Sequence, residues 1–107
     1  MTKKSMLKLD IVVPLYNDEE VVEKLCETVF STLENTFKAV RLIMIDDGSV
    51  DESYNLALRM REKYDGVEVI KLAGNFGQHR AILAGLRSTS ADLVAVMDSD
   101  LQDRPEH

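Results

Sequence analysis

The stretch DLVAVMDSDLQDRPE at residues 92–106 carries the pattern from which the fold of this chain follows. Its apolar run, residues 93–97, ends abruptly at Asp98, Ser99 and Asp100. Such a run, bounded by acidic residues, predicts a buried strand that emerges at one edge of a sheet. Residues two apart in an extended segment point the same way, so Asp98 and Asp100 can both reach one cation. A lone pair of this kind is more often a plain acidic turn, so the rest of the chain has to decide.

Composition limits the classes of protein to which the chain can belong. The 107 residues are enough for one domain or part of one, and 45% hydrophobic with 30% charged residues is typical of a soluble globular protein. The net charge of −6 without a basic block argues against a nucleic-acid partner. No apolar run approaches a membrane span or a signal peptide, which predicts a soluble, cytoplasmic chain. The single cysteine, Cys26, excludes an internal disulfide and is expected on a buried helix face.

Three further apolar runs precede the opening stretch and predict strands: residues 9–15 (LDIVVPL), 40–45 (VRLIMI) and 67–72 (VEVIKL). Pro14 has no N–H for a ladder hydrogen bond and should mark the end of the first strand. The third run alternates with charged residues and should be the less buried one. Helical spacing of apolar residues predicts a first helix over residues 19–36, capped by Asn17 or Asp18. A second helix follows Asp51 as its cap, and a third surrounds residues 81–86.

The strict alternation of strand and helix predicts an open, doubly wound α/β sheet with about four parallel strands and three helices. Ligands of such sheets bind beyond the carboxyl ends of the strands. Each predicted strand is followed by a polar loop, so four loops converge on one edge: residues 16–18, 46–49, 75–77 and 98–100. Four loops at one edge are stronger evidence for a binding site than any single loop. They favour a ligand-binding role for Asp98 and Asp100 over a plain acidic turn.

The chemistry of these loops favours a metal-bridged nucleotide. Neither a G-x-G-x-x-G nor a G-x-x-x-x-G-K-[ST] pattern is present, which disfavours dinucleotide dehydrogenases and P-loop enzymes. The loops are instead rich in carboxylates, which bind phosphate only through Mg²⁺ or Mn²⁺. Carboxylates also accept hydrogen bonds from the N–H of a base or the hydroxyls of a ribose. A nucleoside diphosphate bridged by a metal ion fits both properties.

Taken in order, these segments resemble the amino-terminal part of a family 2 glycosyltransferase with the GT-A fold. The resemblance rests on residues 13–17 (VPLYN), 46–51 (DDGSVD), 75–85 (NFGQHRAILAG) and 98–103 (DSDLQD). Residues 98–106 are most similar to the branch that transfers sugars to polyprenyl or dolichyl phosphate. The resemblance implies that residues 1–107 form the nucleotide-sugar-binding part of a longer catalytic domain, truncated before its acceptor half.

The resemblance also assigns roles to individual residues. Pro14, Tyr16 and Asp46 are implied to line the pocket for the base, and Asp47 to assist with base or ribose. Asp18, one methylene shorter than the Glu that the family usually has at this position, is implied to belong to the same nucleotide-binding set.

The metal site that the family implies lies in the last loop. Asp98, Asp100 and Gln102 are implied to hold Mg²⁺ or Mn²⁺, while Ser99 or Asp100 lies near the ribose and the diphosphate. No catalytic base is assigned. Ile82 and Leu83 replace the Arg-Asn of many soluble relatives, and surface positions are expected for His79 and Arg80.

The implied reaction is an inverting transfer of a sugar from a UDP- or GDP-sugar to an acceptor such as polyprenyl phosphate, at the cytoplasmic face of the membrane. The chain alone is expected to be inactive, and the unpaired outer edge of the fourth strand, residues 93–97, is expected to favour a homo-oligomer. Alternatives are a non-catalytic nucleotide-binding module and a transferase with a saccharide acceptor. The order and spacing of the acidic residues do not fit a receiver-like signalling domain, and the Gly-rich basic loop that a nucleotidyltransferase would have after the first strand is absent.

Overall fold

A computed structural model describes residues 4–100 and places four parallel strands in one sheet, in the order β3-β2-β1-β4. The elements alternate along the chain: β1 (Lys8–Leu15), α1 (Val22–Leu33), β2 (Ala39–Asp46), α2 (Ser53–Lys63), β3 (Val67–Lys71), α3 (Gln78–Leu86) and β4 (Leu93–Val96). The predicted parallel α/β sheet with four strands and three helices is confirmed. Residues 101–107, which include Gln102, lie outside the described part.

Both faces of the sheet are covered, because successive side chains of a strand point to opposite faces. Ile11, Val13 and Leu15 of β1 belong to the core that β1 and β2 form with α1 and α2. Val12 faces the other way and packs with Ile43 and Ala81, under α3. A strand buried on both faces requires a continuous apolar run, which is why the first two strands are so clear in the sequence.

The winding reverses next to β1. β1 pairs with β2 on one side and with β4 on the other, both in parallel register. The carbonyl of Val12 accepts the N–H of Met97 (3.0 Å), and the carbonyl of Leu15 accepts that of Asp47 (2.9 Å). Backbone groups of even-numbered residues therefore face β4. Pro14 lies beyond the last residue pair with β4, Val12 and Val96, so its missing N–H removes no bond from the ladder.

The start of α1 differs from the prediction. The helix begins at Val22, not at residue 19, and ends at Leu33, not at residue 36. Asn17 and Asp18 do not cap it, since its N-cap is Val21 and carries no side-chain hydrogen bond. The side chains are engaged elsewhere: Asn17 Oδ1 accepts the N–H of Val50 in the loop after β2, and Asp18 Oδ2 accepts the N–H of Tyr16.

The fourth strand is shorter and more exposed than the opening stretch predicts. β4 ends at Val96, and Leu93, Val94 and Val96 are 43%, 43% and 48% exposed. Ala95 and Met97 are half-buried against the core that includes α1, but the other apolar residues of β4 are exposed, so the expectation of a buried strand is wrong. The predicted self-association through this edge stays a prediction.

An ion pair between β1 and β2 also holds the turn that precedes β4. The Asp10 carboxylate accepts hydrogen bonds from Nη2 (2.8 Å) and Nε (3.1 Å) of Arg41 and from the backbone N–H groups of Ser90 and Ala91. Arg41 also donates to Glu68. These bonds fix the turn between α3 and β4.

Two expectations about single features hold in the described residues. Cys26 is fully buried in α1, and burial, with Glu23 nearby, raises the pKa of its thiol to about 12. The thiol therefore stays protonated and unreactive near neutral pH. Within residues 4–100, no helix combines the length and apolar character that crossing a bilayer requires.

Gly85 sets the distance between α3 and the sheet. A Cβ at this position would lie 2.5 Å from Val12 Cγ1 and 2.5 Å from Ile45 Cδ1. We expect Gly85→Ala to lower the free energy of unfolding by about 1–3 kcal/mol through overpacking, despite the better helix propensity of alanine. Urea denaturation followed by circular dichroism measures the change. Gly74→Ala is the control, since its Cβ would meet nothing closer than 3.9 Å, and an equal loss there would contradict the explanation.

The Asp10–Arg41 pair makes stability sensitive to acid. Burial alone would raise the pKa of Asp10, but the hydrogen bonds from Arg41, Ser90 and Ala91 outweigh it and hold the pKa below 3.8. The stabilisation is therefore complete above pH 3.8 and is lost as the pH falls through the lowered native pKa. We expect Asp10→Asn to be destabilised at pH 7 and to lose less stability on acidification than wild type. Stability curves between neutral and acid pH test this, with exposed Glu62→Gln as the control. Parallel acid branches for wild type and Asp10→Asn would refute it.

Candidate functional site

An open cleft of about 460 Å³ lies at the carboxyl ends of the strands, where the winding reverses between β1 and β4. This is the position at which open α/β sheets bind ligands. Every loop that follows a strand contributes to it. The lining residues are Pro14, Leu15, Tyr16, Asp18, Asp47, Asn75, Gly77, Gln78, Asp98, Ser99 and Asp100. The predicted convergence of four loops is therefore present in the structure.

Tyr16 forms the exposed aromatic part of the cleft. Its side chain is 47% exposed, and its backbone N–H donates to Asp18 Oδ2 (2.8 Å). Asp18 is thus turned back on its own loop while it lines the cleft. An exposed ring at the end of a central strand offers a flat face on which a planar ligand can stack.

The loop after β1 is fastened to the loop after β2 by reciprocal hydrogen bonds. Asn17 adopts a left-handed backbone conformation (φ 53°), which asparagine tolerates better than most residues. Its N–H donates to Ser49 Oγ (2.9 Å), and its Oδ1 accepts the N–H of Val50 (2.9 Å). The N–H of Asp18 donates to the buried Ser53 Oγ (2.7 Å). These bonds hold Tyr16 and Asp18 in place.

Asp51 completes this junction. Its Oδ1 accepts the N–H (2.9 Å) and hydroxyl (2.6 Å) of Ser53, and its Oδ2 accepts the N–H of Glu19 (3.2 Å). Desolvation would raise the pKa of Asp51, but these hydrogen bonds lower it, so the group stays ionised. The N-cap residue of α2 is Glu52 rather than Asp51, although Asp51 still satisfies the first N–H of the helix. The sequence did not reveal the role of Ser49 and Ser53, because their partners Asn17 and Asp18 lie more than thirty residues away and leave no local signal.

Asp47 and Gly48 position the loop between β3 and α3. The two oxygens of Asp47 accept the backbone N–H groups of Phe76 (2.7 Å) and Gly77 (2.9 Å). Gly48 has φ 79°, and a Cβ there would lie 2.7 Å from the backbone nitrogen of Asn75. Only glycine allows the two loops to approach so closely. Asp47 lines the cleft as expected, but both of its oxygens are already engaged with backbone.

Asp46 does not line the cleft among the described residues. It is 1% exposed, at the end of β2, and pairs with Leu15, which does line the cleft. Asp46 Oδ2 accepts the N–H of Ser49 (3.3 Å). Its Oδ1 is buried and meets no hydrogen-bond donor in the described part of the chain. An acceptor left in this state is costly unless a ligand or solvent donor satisfies it.

The acidic end of the opening stretch forms one wall of the cleft. Asp98 is exposed, Ser99 is 8% exposed and Asp100 is half-buried, and all three line the cleft. Carboxylate oxygens are the donors that Mg²⁺ and Mn²⁺ prefer, so the donor type fits either ion. Residues 4–100 contain no cluster of three or more acidic, histidine or cysteine side chains placed to hold a metal. The third implied ligand, Gln102, lies outside the described residues.

The segment around the start of α3 contributes to two different surfaces. Asn75 and Gly77 line the cleft, and so does Gln78, which was not predicted as a site residue. His79 and Arg80 are exposed and line a different groove on the outer side of α3, in agreement with the expected surface positions.

Proteins of similar sequence include sugar transferases that act on a lipid phosphate. The chain is 35% identical over 107 residues to an undecaprenyl-phosphate 4-deoxy-4-formamido-L-arabinose transferase of Photorhabdus laumondii, covering 99% of this chain and 33% of the relative. The transferase of the same name from Salmonella choleraesuis is 38% identical over 100 residues, covering 92% and 31%. The chain thus spans about a third of the length of these relatives.

Solved structures with the same fold carry nucleotide ligands. The mannosyltransferase PcManGT from Pyrobaculum calidifontis, in complex with GDP-Man and Mn²⁺, aligns with a TM-score of 0.78 at 17% identity, covering 89% of this chain and 28% of that one. TarS 1-349 from S. aureus, in complex with UDP, aligns with a TM-score of 0.74 at 24% identity, covering 87% and 27%. At these identities the similarity shows the fold alone, a partial GT-A fold. Residues 10–107 match the family described as Glycosyl transferase family 2, and the chain therefore belongs to that family.

Proposed function

We propose that the cleft binds the nucleotide and metal of a sugar donor, and that the protein transfers the sugar, with inversion, from a UDP- or GDP-sugar to polyprenyl phosphate. The observation that carries this proposal is the cleft at the reversal of winding. Its lining includes the exposed Tyr16 and the acidic segment Asp98-Ser99-Asp100. Stacking surface and anionic wall are what a base and a metal-bound diphosphate need.

The base site is proposed around Tyr16, with Pro14 and Asp18 beside it. The unpaired Oδ1 of Asp46 supplies an acceptor next to Leu15. Uracil and guanine each present a ring N–H donor on their pairing edge, whereas cytosine and adenine present an acceptor at the equivalent position. A small reorientation of the Asp46 carboxylate towards the cleft would satisfy its oxygen with that N–H. This favours UDP- and GDP-sugars over CDP- and ADP-sugars.

The diphosphate end is proposed at Asp98 and Asp100, with Gln102 as a further ligand. When bound there, Mg²⁺ or Mn²⁺ would neutralise charge that develops on the leaving diphosphate. Ser99 lies between the two acids and can donate its hydroxyl to the ribose or a phosphate oxygen. Asp47, whose oxygens hold the neighbouring loop, serves to shape the pocket and has little capacity left for a ligand.

The acceptor is inferred from the relatives, whose names specify undecaprenyl phosphate. A phosphate monoester is largely dianionic near neutral pH, with a second pKa of about 6, so a strong general base is less necessary. Reaction at the cytoplasmic face of a membrane would follow from such an acceptor. The residues that bind the acceptor are expected in the two thirds of the relatives' length that this chain does not span.

Metal-dependent nucleotide binding is the direct test. We expect UDP or GDP to bind the 107-residue chain in the presence of Mn²⁺ and to be released by EDTA, as measured by isothermal titration calorimetry. Asp98→Asn combined with Asp100→Asn should weaken the Mn²⁺-dependent affinity at least about tenfold, because a neutral amide is a poorer ligand for a hard cation. Exposed Glu62→Gln on α2 is the control with a matched chemical change. The proposed site would be contradicted if the nucleotide bound equally well with and without Mn²⁺. It would also be contradicted if the double variant and the Glu62→Gln control had the same affinity.

Asp46→Asn tests the proposed reading of the base. The substitution keeps the shape but adds an N–H₂ donor, so affinity for UDP or GDP should fall about 10- to 100-fold, while affinity for CDP should fall less or rise. Titrations of the three nucleotides at the same Mn²⁺ concentration give the ratios. Circular dichroism shows whether the variant is folded. An unchanged preference in a folded variant would place the base elsewhere.

A further inference from the structure

The outer face of α3 combines exposed apolar and cationic side chains. Phe76, just before the helix, is 52% exposed, and Leu83 and Leu86 are 44% and 36% exposed. Arg80 and Arg87 are also exposed and lie on the same face of the helix, at helical spacing from Leu83. Together with His79, most of these residues line an open groove of about 560 Å³. We call this surface the α3 face.

The charge of this segment is opposite to that of the rest of the chain. Residues 69–91 contain Lys71, Arg80 and Arg87 and no acidic residue, which gives +3. The other ten basic residues and all nineteen acidic residues lie elsewhere, which leaves −9 for the remainder. Lys71 belongs to the other layer, where its Nζ lies 4.6 Å from the centre of the Tyr54 ring. On the layer formed by α3, the positive charge therefore comes from the helix itself and from Arg87 directly after it.

We propose that the α3 face contacts an anionic lipid surface. A helix that presents arginines beside exposed leucine and phenylalanine can bury its apolar side chains at the boundary of headgroups and acyl chains. Its arginines then meet the phosphates of anionic lipids. The strongly negative remainder of the chain would be repelled by the same surface, so charge fixes which side approaches. The proposal does not depend on the proposed sugar transfer.

The position of this face relative to the cleft gives the contact a direction. Gln78, in the first turn of α3, lines the cleft, whereas Phe76 and His79 line the groove. The two sites are therefore adjacent at the start of the helix. A lipid surface against α3 would hold the mouth of the cleft close to the membrane.

Vesicle binding by the 107-residue chain tests the proposal. We expect co-sedimentation with vesicles that contain phosphatidylglycerol in phosphatidylcholine, weak binding to pure phosphatidylcholine, and release in about 0.5 M salt, where charges are screened over a few ångströms. Arg80→Gln combined with Arg87→Gln should weaken binding roughly 30-fold, since each basic residue near the surface contributes about fivefold. Leu83→Gln should weaken it further by removing apolar contact.

The matched control is Arg59→Gln combined with Arg61→Gln, which makes the same charge change at exposed positions of α2, on the opposite layer. It should lower binding much less than the α3 pair. Equal loss in both pairs would show attraction by net charge alone and would overturn the proposal. Failure of wild type to bind anionic vesicles would overturn it as well. A UDP titration of the same samples is independent, because none of these residues lines the cleft.

Discussion

Pairing of β1 on both sides is the constraint on which the rest of the structure depends. β1 is hydrogen-bonded to β2 along eight residue pairs and to β4 along four, all parallel. Parallel neighbours bring their carboxyl ends to one edge, and the reversal of winding beside β1 opens a crevice there. Burial on both faces demands that the centre of β1 be apolar. The buried Asp10, near the start of the strand, is paired with Arg41 and two backbone N–H groups, whereas the polar residues that line the cleft follow the carboxyl end.

The loops at that edge are held by hydrogen bonds between segments that are distant in sequence. Asn17 binds the loop after β2, Asp18 binds Ser53 at the start of α2, and Asp47 binds the loop after β3. Each bond satisfies a backbone N–H that neither strand nor helix can pair. Most acidic and amide groups in this region therefore serve to position the loops. Asp46 Oδ1 stands out among the described residues because it is buried without a donor.

The two helical layers differ in character, and the difference follows from the packing of α3. Ala81 and Gly85 allow this short helix to lie very close to the sheet. A helix of nine residues buries few side chains in this arrangement and leaves its larger apolar residues outside. On the other layer, α1 buries five residues, including Leu25 and Phe30. Within residues 4–100, arginine beside exposed leucine on a helix is thus concentrated on the layer formed by α3, next to the cleft.

The sequence by itself determined the order and type of every element, because fully buried parallel strands and amphipathic helices leave different periodicities. It also placed the polar loops at one edge, and the cleft contains Tyr16, Asp47, Asp98 and Asp100 as expected. Only the tertiary structure decided where α1 begins, since Asn17 and Asp18 form bonds to Ser49, Val50 and Ser53, more than thirty residues away. It likewise decided that β4 is exposed and that Asp46 is buried outside the cleft. Periodicity reports which side of an element is apolar, whereas burial depends on what the rest of the fold places against it.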